Sequence, residues 1–230
     1  MTHQDKEKTE SPRKKGALRR IGSGVGRLTR AKARFDMPTG APDAGLKIVI
    51  ATDAWKPQLN GVVRTLDTLG QILTGFGNDV LYITPNEFKS VPLPSYPEIR
   101  LSLMPNRKVA KMINEFQPDA IHIATEGPIG RAARRFCKRR GHPFTTSFHT
   151  RFAEYANERW KAPVSWGYAV LKDFHKDGDT MMVATPGLIE ELRERGFSKM
   201  KLWTRGVDLE QFVPGDRSFL DQYERPIFLY

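Results

Sequence analysis

Cysteine is all but missing from this 230-residue chain: Cys137 stands alone. An internal disulfide framework is thereby excluded, and the chain reads as one made for a reducing, cytoplasmic compartment. No run of about 18 apolar residues occurs, so no membrane-spanning helix is expected. The first fifteen residues, MTHQDKEKTESPRKK, carry no apolar stretch of the kind a secretory signal needs. Five scattered histidines and one cysteine show no zinc-ligand spacing. The glycine fingerprint G-x-G-x-x-G of a dinucleotide site is absent from every strand–helix junction, and so is the lysine of a P-loop. Nicotinamide and ATP sites of the usual kind are disfavoured.

Positive charge, by contrast, is abundant and uneven. The formal net charge is +11. Residues 1–40 hold eleven Lys/Arg against four Asp/Glu, a net +7, which leaves +4 for the rest. Residues 1–45 read as a basic, disordered tail that closes on the breaker-rich linker MPTGAPDAG at 37–45. Within it, Leu18, Ile21, Val25 and Leu28 fall at roughly helical spacing. Gly22, Gly24 and Gly26 interrupt them, each costing roughly 1 kcal/mol inside a helix. Two readings stay open: a solvated tail, or a basic segment that orders on an anionic membrane surface. Nucleic acid is the weaker third, because no aromatic platform or known recognition motif accompanies the charge.

From Leu46 the pattern changes. LKIVIAT, DVLYIT, EIRLSL, DAIHIAT, PFTTSFH, DTMMVAT and KMKLWTR read as seven strands. Amphipathic helical stretches lie between them, at 61–76, 106–117, 129–140, 151–176 (broken near Pro163) and 186–196. PNEFKSVPLPSYP reads as a proline-punctuated connection. Near-continuous apolar strands alternating with helices predict an α/β fold with a Rossmann-like, doubly wound parallel sheet. In such sheets ligands sit beyond the carboxyl ends of the strands.

Those ends carry the candidate residues. Asn60-Gly61 opens the first helix after IATDAWKPQL, where free N–H groups and the helix dipole suit an anion and glycine permits close approach. A plain Asn cap explains the same residues. Glu126, in TEGPIG, either accepts hydrogen bonds from a polyol or caps the next helix. His149 ends FTTSFH and either faces the cleft or is a satisfied structural histidine. Arg151 and Tyr155 lie four apart on the helix that follows. His122, inside a strand, and His142, in a turn, read as structural. The segment RAARRFCKRR places Arg131, Arg134, Arg135 and Lys138 on one side of a helix, either as a solvated face or as a surface for anionic lipid head groups. The cations around Cys137 are of a kind that lowers a thiol pKa.

Taken together, TDAWKPQLNGVVRT, HIATEGPIG, FTTSFHTRFAEY and WTRGVDLEQFVP, in this order and on these strand ends, resemble the N-terminal domain of the retaining glycosyltransferases of family 4. The flavour is that of bacterial GDP-mannose-dependent alpha-mannosyltransferases and plant sulfolipid synthases. The resemblance spans roughly residues 46–214. It implies half of a GT-B architecture, in which two Rossmann-like domains face each other across a cleft, the N-terminal one mainly on the acceptor side. It further implies that the backbone at Asn60 and Gly61 approaches the donor diphosphate or sugar, and that His149 lies beside the transferred sugar. Asp53, Glu126, Arg151 and Tyr155 become acceptor-side residues. A nucleotide-sugar is the implied co-substrate, a lipid or glycan the acceptor, and no metal is expected.

The segment 215–230 resembles the interdomain linker, with ERPIFLY as the first strand of a second, donor-binding domain that does not follow. The basic residues and paired glutamates of that domain are missing, so the expectation is a domain inactive alone. The alternatives are a non-catalytic module that docks on a membrane or an acceptor, and a Rossmann-like enzyme for a small phosphorylated ligand.

Overall fold

The structure is a computed structural model that describes residues 45–93, 96–209, 211–216 and 218–223. The basic tail and the ERPIFLY strand expected at 224–230 lie outside the described residues.

The centre is a six-stranded parallel sheet, ordered β2-β1-β5-β6-β7-β8. Its strands are β1 (Lys47–Ala51), β2 (Asp79–Ile83), β5 (Ala120–Ile123), β6 (Thr145–Phe148), β7 (Thr180–Val183) and β8 (Met200–Leu202). The order reverses between β1 and β5, so the chain winds outward in both directions. Right-handed crossovers then put the helices of the two halves on opposite faces. Helix α1 (Gly61–Gly75) covers one face of β1 and β2 through Leu66, with Ile50, Val80 and Tyr82 beneath it. Helices α2 (Asn106–Phe116) and α3 (Pro128–Arg140) cover the other face, where Val49, Leu81, Ile83, Ile121 and Ile123 meet Val109, Ile113, Ile129 and Ala133. Further along that face, α4 (Phe152–Trp160), α5 (Val164–His175) and α6 (Pro186–Glu194) pack on Phe148, Met181 and Val183. The two-residue alternation of a strand explains the division: Val49 and Ala51 point one way and Ile50 the other.

One expected strand lies elsewhere. EIRLSL falls in β4 (Tyr96–Ser102), which pairs antiparallel with β3 (Ser90–Leu93) as a separate two-stranded unit. The sequence SVPL of β3 had read as part of a connection. Two physical features account for the difference. Pro92 has no N–H to give a central ladder. EIRLSL also alternates charged and apolar residues, as a strand covered on one side does, whereas β1 and β5 are near-continuous apolar runs. Arg100 locks the hairpin by donating to the Ser90 hydroxyl (2.8 Å) and carbonyl (2.9 Å). The seventh expected strand is also shorter than KMKLWTR, ending at Leu202.

Candidate functional site

The carboxyl ends of β1, β5 and β6 lie side by side, and the loops that leave them build one edge of the sheet. The β1–α1 loop is firmly held. Trp55 stacks on Tyr82 with ring centroids 4.3 Å apart, and Lys56 pairs with Asp67 at 2.9 Å. Asn60 ends the loop as a helix cap: its Oδ1 accepts from the Val62 and Val63 amides, both at 3.0 Å, and its Nδ2 donates to Gln58. The plain-cap reading of the Asn60 side chain therefore holds. Gly61 is different. Its own N–H, the first of the helix, makes no hydrogen bond among the described residues, and a Cβ added there would meet nothing within 4 Å. Nothing in the described fold requires glycine at this exposed position.

The glycines of TEGPIG have the opposite explanation. A Cβ on Gly127 would sit 2.4 Å from the Asp53 carboxyl carbon, and one on Gly130 would sit 1.8 Å from the Thr125 carbonyl oxygen. Asp53 is buried and caps α3 from across the sheet. Its Oδ1 accepts from the Ile129 amide (2.8 Å), and its Oδ2 accepts from Gly130 N–H (3.2 Å) and the Thr125 hydroxyl (2.8 Å). Burial pushes this carboxyl above its ordinary pKa, while the three donors oppose the shift. Asp53 thus faces the fold, with both oxygens engaged. Glu126 also has an inward partner, since its Oε1 lies 3.2 Å from Nε2 of the buried His175.

His149 stands just beyond β6. Both ring nitrogens are enclosed, yet neither has a hydrogen-bond partner among the described residues. Trp203 lies edge-on to the imidazole at 5.9 Å and also to His122 at 6.1 Å, so one indole wedges between two histidines. Desolvation, reinforced by the Arg205 cation and by His122, lowers the His149 pKa to about 3. The ring is neutral in any ordinary medium. It can donate one hydrogen bond and accept another, and it carries no proton to give as an acid. His122 is held on both sides, by Thr145 (2.8 Å) and Ser147 (2.9 Å), and His142 bonds the Pro143 carbonyl at 2.8 Å; both are structural, as their sequence positions suggested.

Arg151 forks onto Glu191 of α6, at 2.8 and 2.5 Å, which fastens the start of α4. Tyr155 packs edge-on against Trp160. On α3, Arg134 bonds the Asp173 carbonyl (2.7 Å) and pairs with Asp177, which Lys138 also reaches at 2.9 Å. Those two cations tie α3 to α5 and to the turn that follows it. Arg131 donates to the Glu126 carbonyl. Arg135, Arg139 and Arg140 stay exposed and line a groove with Asn106 and Asn114 of α2. Cys137 is fully buried, and burial raises its thiol to about 12, so desolvation overrides the neighbouring cations and the expected lowering does not occur.

Arg205 stands at one of the strand ends that the sequence marks, whereas Trp203 is a contribution that sequence reasoning did not single out. Trp203 lies in an apolar strand end and reads there as core. Only the folded sheet shows it against His149.

The domain is Rossmann-like, with a helix N-terminus and an imidazole without a partner among the described residues on one edge of its sheet. The family model described as Glycosyltransferase Family 4 matches residues 59–211, more than half of the chain. The chain belongs to this family, whose members have the GT-B fold. It is similar to a GDP-mannose-dependent alpha-mannosyltransferase of Corynebacterium glutamicum, 26% identical over 192 residues, 75% of this chain and 46% of that protein. It is also similar to the sulfoquinovosyl transferase of Arabidopsis thaliana, 27% identical over 179 residues, 70% of this chain and 35% of that one. A third relative is the alpha-monoglucosyldiacylglycerol synthase of Acholeplasma laidlawii, 28% identical over 127 residues, 49% of this chain and 32% of that protein. The chain spans about half the length, or less, of the curated relatives it matches. No helix among the described residues is long and apolar enough to cross a membrane.

Proposed function

We propose that this chain supplies the acceptor-side domain of a retaining hexosyltransferase that moves a sugar from a nucleotide-sugar to a lipid or glycan acceptor. The mannosyl group is the favoured cargo, in keeping with relatives named GDP-mannose-dependent alpha-mannosyltransferase. The observation that carries the reading is the pair formed by Gly61 and His149. One offers an unused N–H at a helix start with open space before it, and the other an enclosed neutral imidazole without a partner. Gly61 opens α1 at the end of the β1–α1 loop and His149 follows β6, both on the carboxyl-end side of the sheet.

In this scheme the Gly61 amide and the α1 dipole meet the donor's negative charge, with Arg205 as a further cation near His149. His149 holds a sugar hydroxyl and orients the ring by hydrogen bonding, without proton transfer. Breaking the sugar–phosphate bond leaves charge on the diphosphate, which preorganised positive groups must stabilise. A second, donor-binding domain, in cis or in trans, supplies most of them, and this chain alone turns over no substrate. The domain division proposed is 1–45 as tail, 46–214 as acceptor-side domain and 215–230 as connector. Asp53, by virtue of its cap, shapes the floor of the acceptor side, and Glu126, Arg151 and Tyr155 form its rim. The co-substrate is a nucleotide-sugar, and no metal is assigned to this domain. The exposed Arg135, Arg139 and Arg140, beside Arg131, form a face that rests peripherally on an anionic membrane on the cytoplasmic side.

A transfer assay on the purified 230-residue chain, with labelled nucleotide-sugars and lipid or glycan acceptors, tests the first point: no turnover is expected, and clear turnover refutes the half-site. The second reading is a non-catalytic module that docks on membrane or acceptor, carried by the exposed Arg135, Arg139 and Arg140. The reading frame downstream separates the two. A donor-type E-x7-E segment encoded next to this one supports the enzyme, and its absence supports the module.

A further inference from the structure

One face of the sheet is only half covered. Helix α1 shields β1 and β2, and the other α-helices among the described residues pack on the opposite face. Beside α1, over β5 to β8, no helix among the described residues covers the sheet. There Ile48, Leu69, Leu73, Met182, Leu202 and Trp203 line a cavity of about 520 Å³. A second cavity, of about 620 Å³, shares Leu69 and Trp203 with it, so the two form one groove along α1. Leu202 is 46% exposed. An apolar groove of this size on a sheet face marks an interaction site.

We propose that the groove is the docking site for a segment of this same chain, residues 17–35, which folds there as an amphipathic helix. Three observations converge on that occupant. The first is the pattern of ALRRIGSGVGRLTRAKARF. At 100° per residue, Leu18, Ile21, Val25, Leu28 and Phe35 all fall on one side, with Lys32 among them, while Arg19, Arg20, Arg27, Arg30 and Arg34 fall on the other. The second is where the described chain begins. Gly45 donates to the Gly77 carbonyl at the amino edge of the sheet, next to β1. Asp119, Pro143 and Asp179, at the amino ends of β5, β6 and β7, border the groove at that same edge. The third is reach. Residues 36–44 span up to about 30 Å when extended, against about 19 Å from β1 across four strands to β8.

Gly22, Gly24 and Gly26 fit the same scheme. They disfavour the helix in isolation, so helix formation and docking occur together. With the apolar side in the groove, the arginines face outward.

Site-specific photocrosslinking tests the proposal on the intact 230-residue chain. A p-benzoylphenylalanine at position 25 is expected to mark peptides containing Leu69–Leu73, Met182 or Leu202–Trp203, within one molecule and with a yield unchanged on tenfold dilution. Marks elsewhere on the domain, marks on a second copy that vanish on dilution, or no marks overturn it. So does transfer of the marks to lipid when vesicles of anionic phospholipid are added. A second measurement uses substitutions that cannot disturb the core, because they lie in the tail. Ile21→Asp with Leu28→Asp is expected to lower the Tm by at least about 3 °C, whereas Arg20→Gln with Arg27→Gln shifts it by less than half of that. Equal Tm values for the double Asp variant and the parent chain refute the docking.

Discussion

Replacing Asp53 by alanine isolates the contact that joins the first half of the sheet to the second. In the folded domain the carboxylate accepts from the Ile129 amide at 2.8 Å, Gly130 N–H at 3.2 Å and the Thr125 hydroxyl at 2.8 Å. The hydroxyl is only partly buried and reaches water once the carboxylate is gone. The two helix amides are buried and have no other acceptor in range among the described residues. Leaving each unpaired costs about 1–3 kcal/mol, so Asp53→Ala should destabilise the domain by about 3 kcal/mol. For a chain of this size that corresponds to a Tm lower by roughly 6–12 °C. Asp53→Asn keeps one oxygen for Ile129 but turns an amide N–H₂ toward the Gly130 donor, and should fall between alanine and the parent. Urea denaturation followed by circular dichroism measures all three chains. A loss below about 0.5 kcal/mol for Asp53→Ala would falsify the capping argument and return the carboxylate to the pool of groups free to bind an acceptor.

The two kinds of glycine predict opposite outcomes. Gly130→Ala should destabilise by about 1–3 kcal/mol through its clash with the Thr125 carbonyl, whereas Gly61→Ala should leave stability unchanged or raised by about 0.5 kcal/mol. Joined to a donor-binding domain, Gly61→Ala should still cut transfer at least tenfold; full activity would remove the Gly61 amide from the donor site. Acid should weaken the fold through its buried imidazoles. Burial holds the folded pKa of His122 at about 4 and that of His149 at about 3, against 6.5 when unfolded. Below pH 6.5 the unfolded chain therefore binds more protons, and stability falls as pH drops toward the folded values. The expected loss is roughly 1–2 kcal/mol per ring between pH 7 and pH 5. Imidazole NMR signals titrating near 6.5 in the folded chain would contradict this. The Cys137 thiol should resist a disulfide reagent at pH 8 until urea unfolds the chain; rapid reaction of the native protein would count against its burial. Binding to anionic vesicles should fall on exchanging Arg135, Arg139 and Arg140 for glutamine and on raising salt by about tenfold. Equal binding to neutral vesicles at low salt would speak against a membrane face.

Much of the architecture was legible in the chain because it rests on local patterns. Apolar runs of strand length between amphipathic helices specify a parallel sheet covered on both faces. A proline in Ala162-Pro163-Val164 breaks a long helical stretch into α4 and α5. Asn60 before an apolar helix face announces a cap, and the cap is there. The β3–β4 hairpin was less legible. EIRLSL carries strand propensity, but its partner was masked by prolines, and pairing is a property of two segments at once.

The site divides along the same line. By itself the sequence determined which residues stand at the strand ends and that they match, in order, the motifs of a glycosyltransferase family, because the ends of elements follow from periodicity and breakers. Only the tertiary structure decided what each of those residues does there. Asp53 and Gly127 lie 74 positions apart, and nothing local reveals that one glycine makes room for that carboxylate while Gly61 makes room for nothing within the described fold. Arg134 and Lys138 look like a free basic face until α5 and the turn after it bring Asp173 and Asp177 beside them. Cys137 looks activated by its neighbours until burial proves the larger effect. Desolvation and pairing depend on distance in space, and a sequence records distance only along the chain.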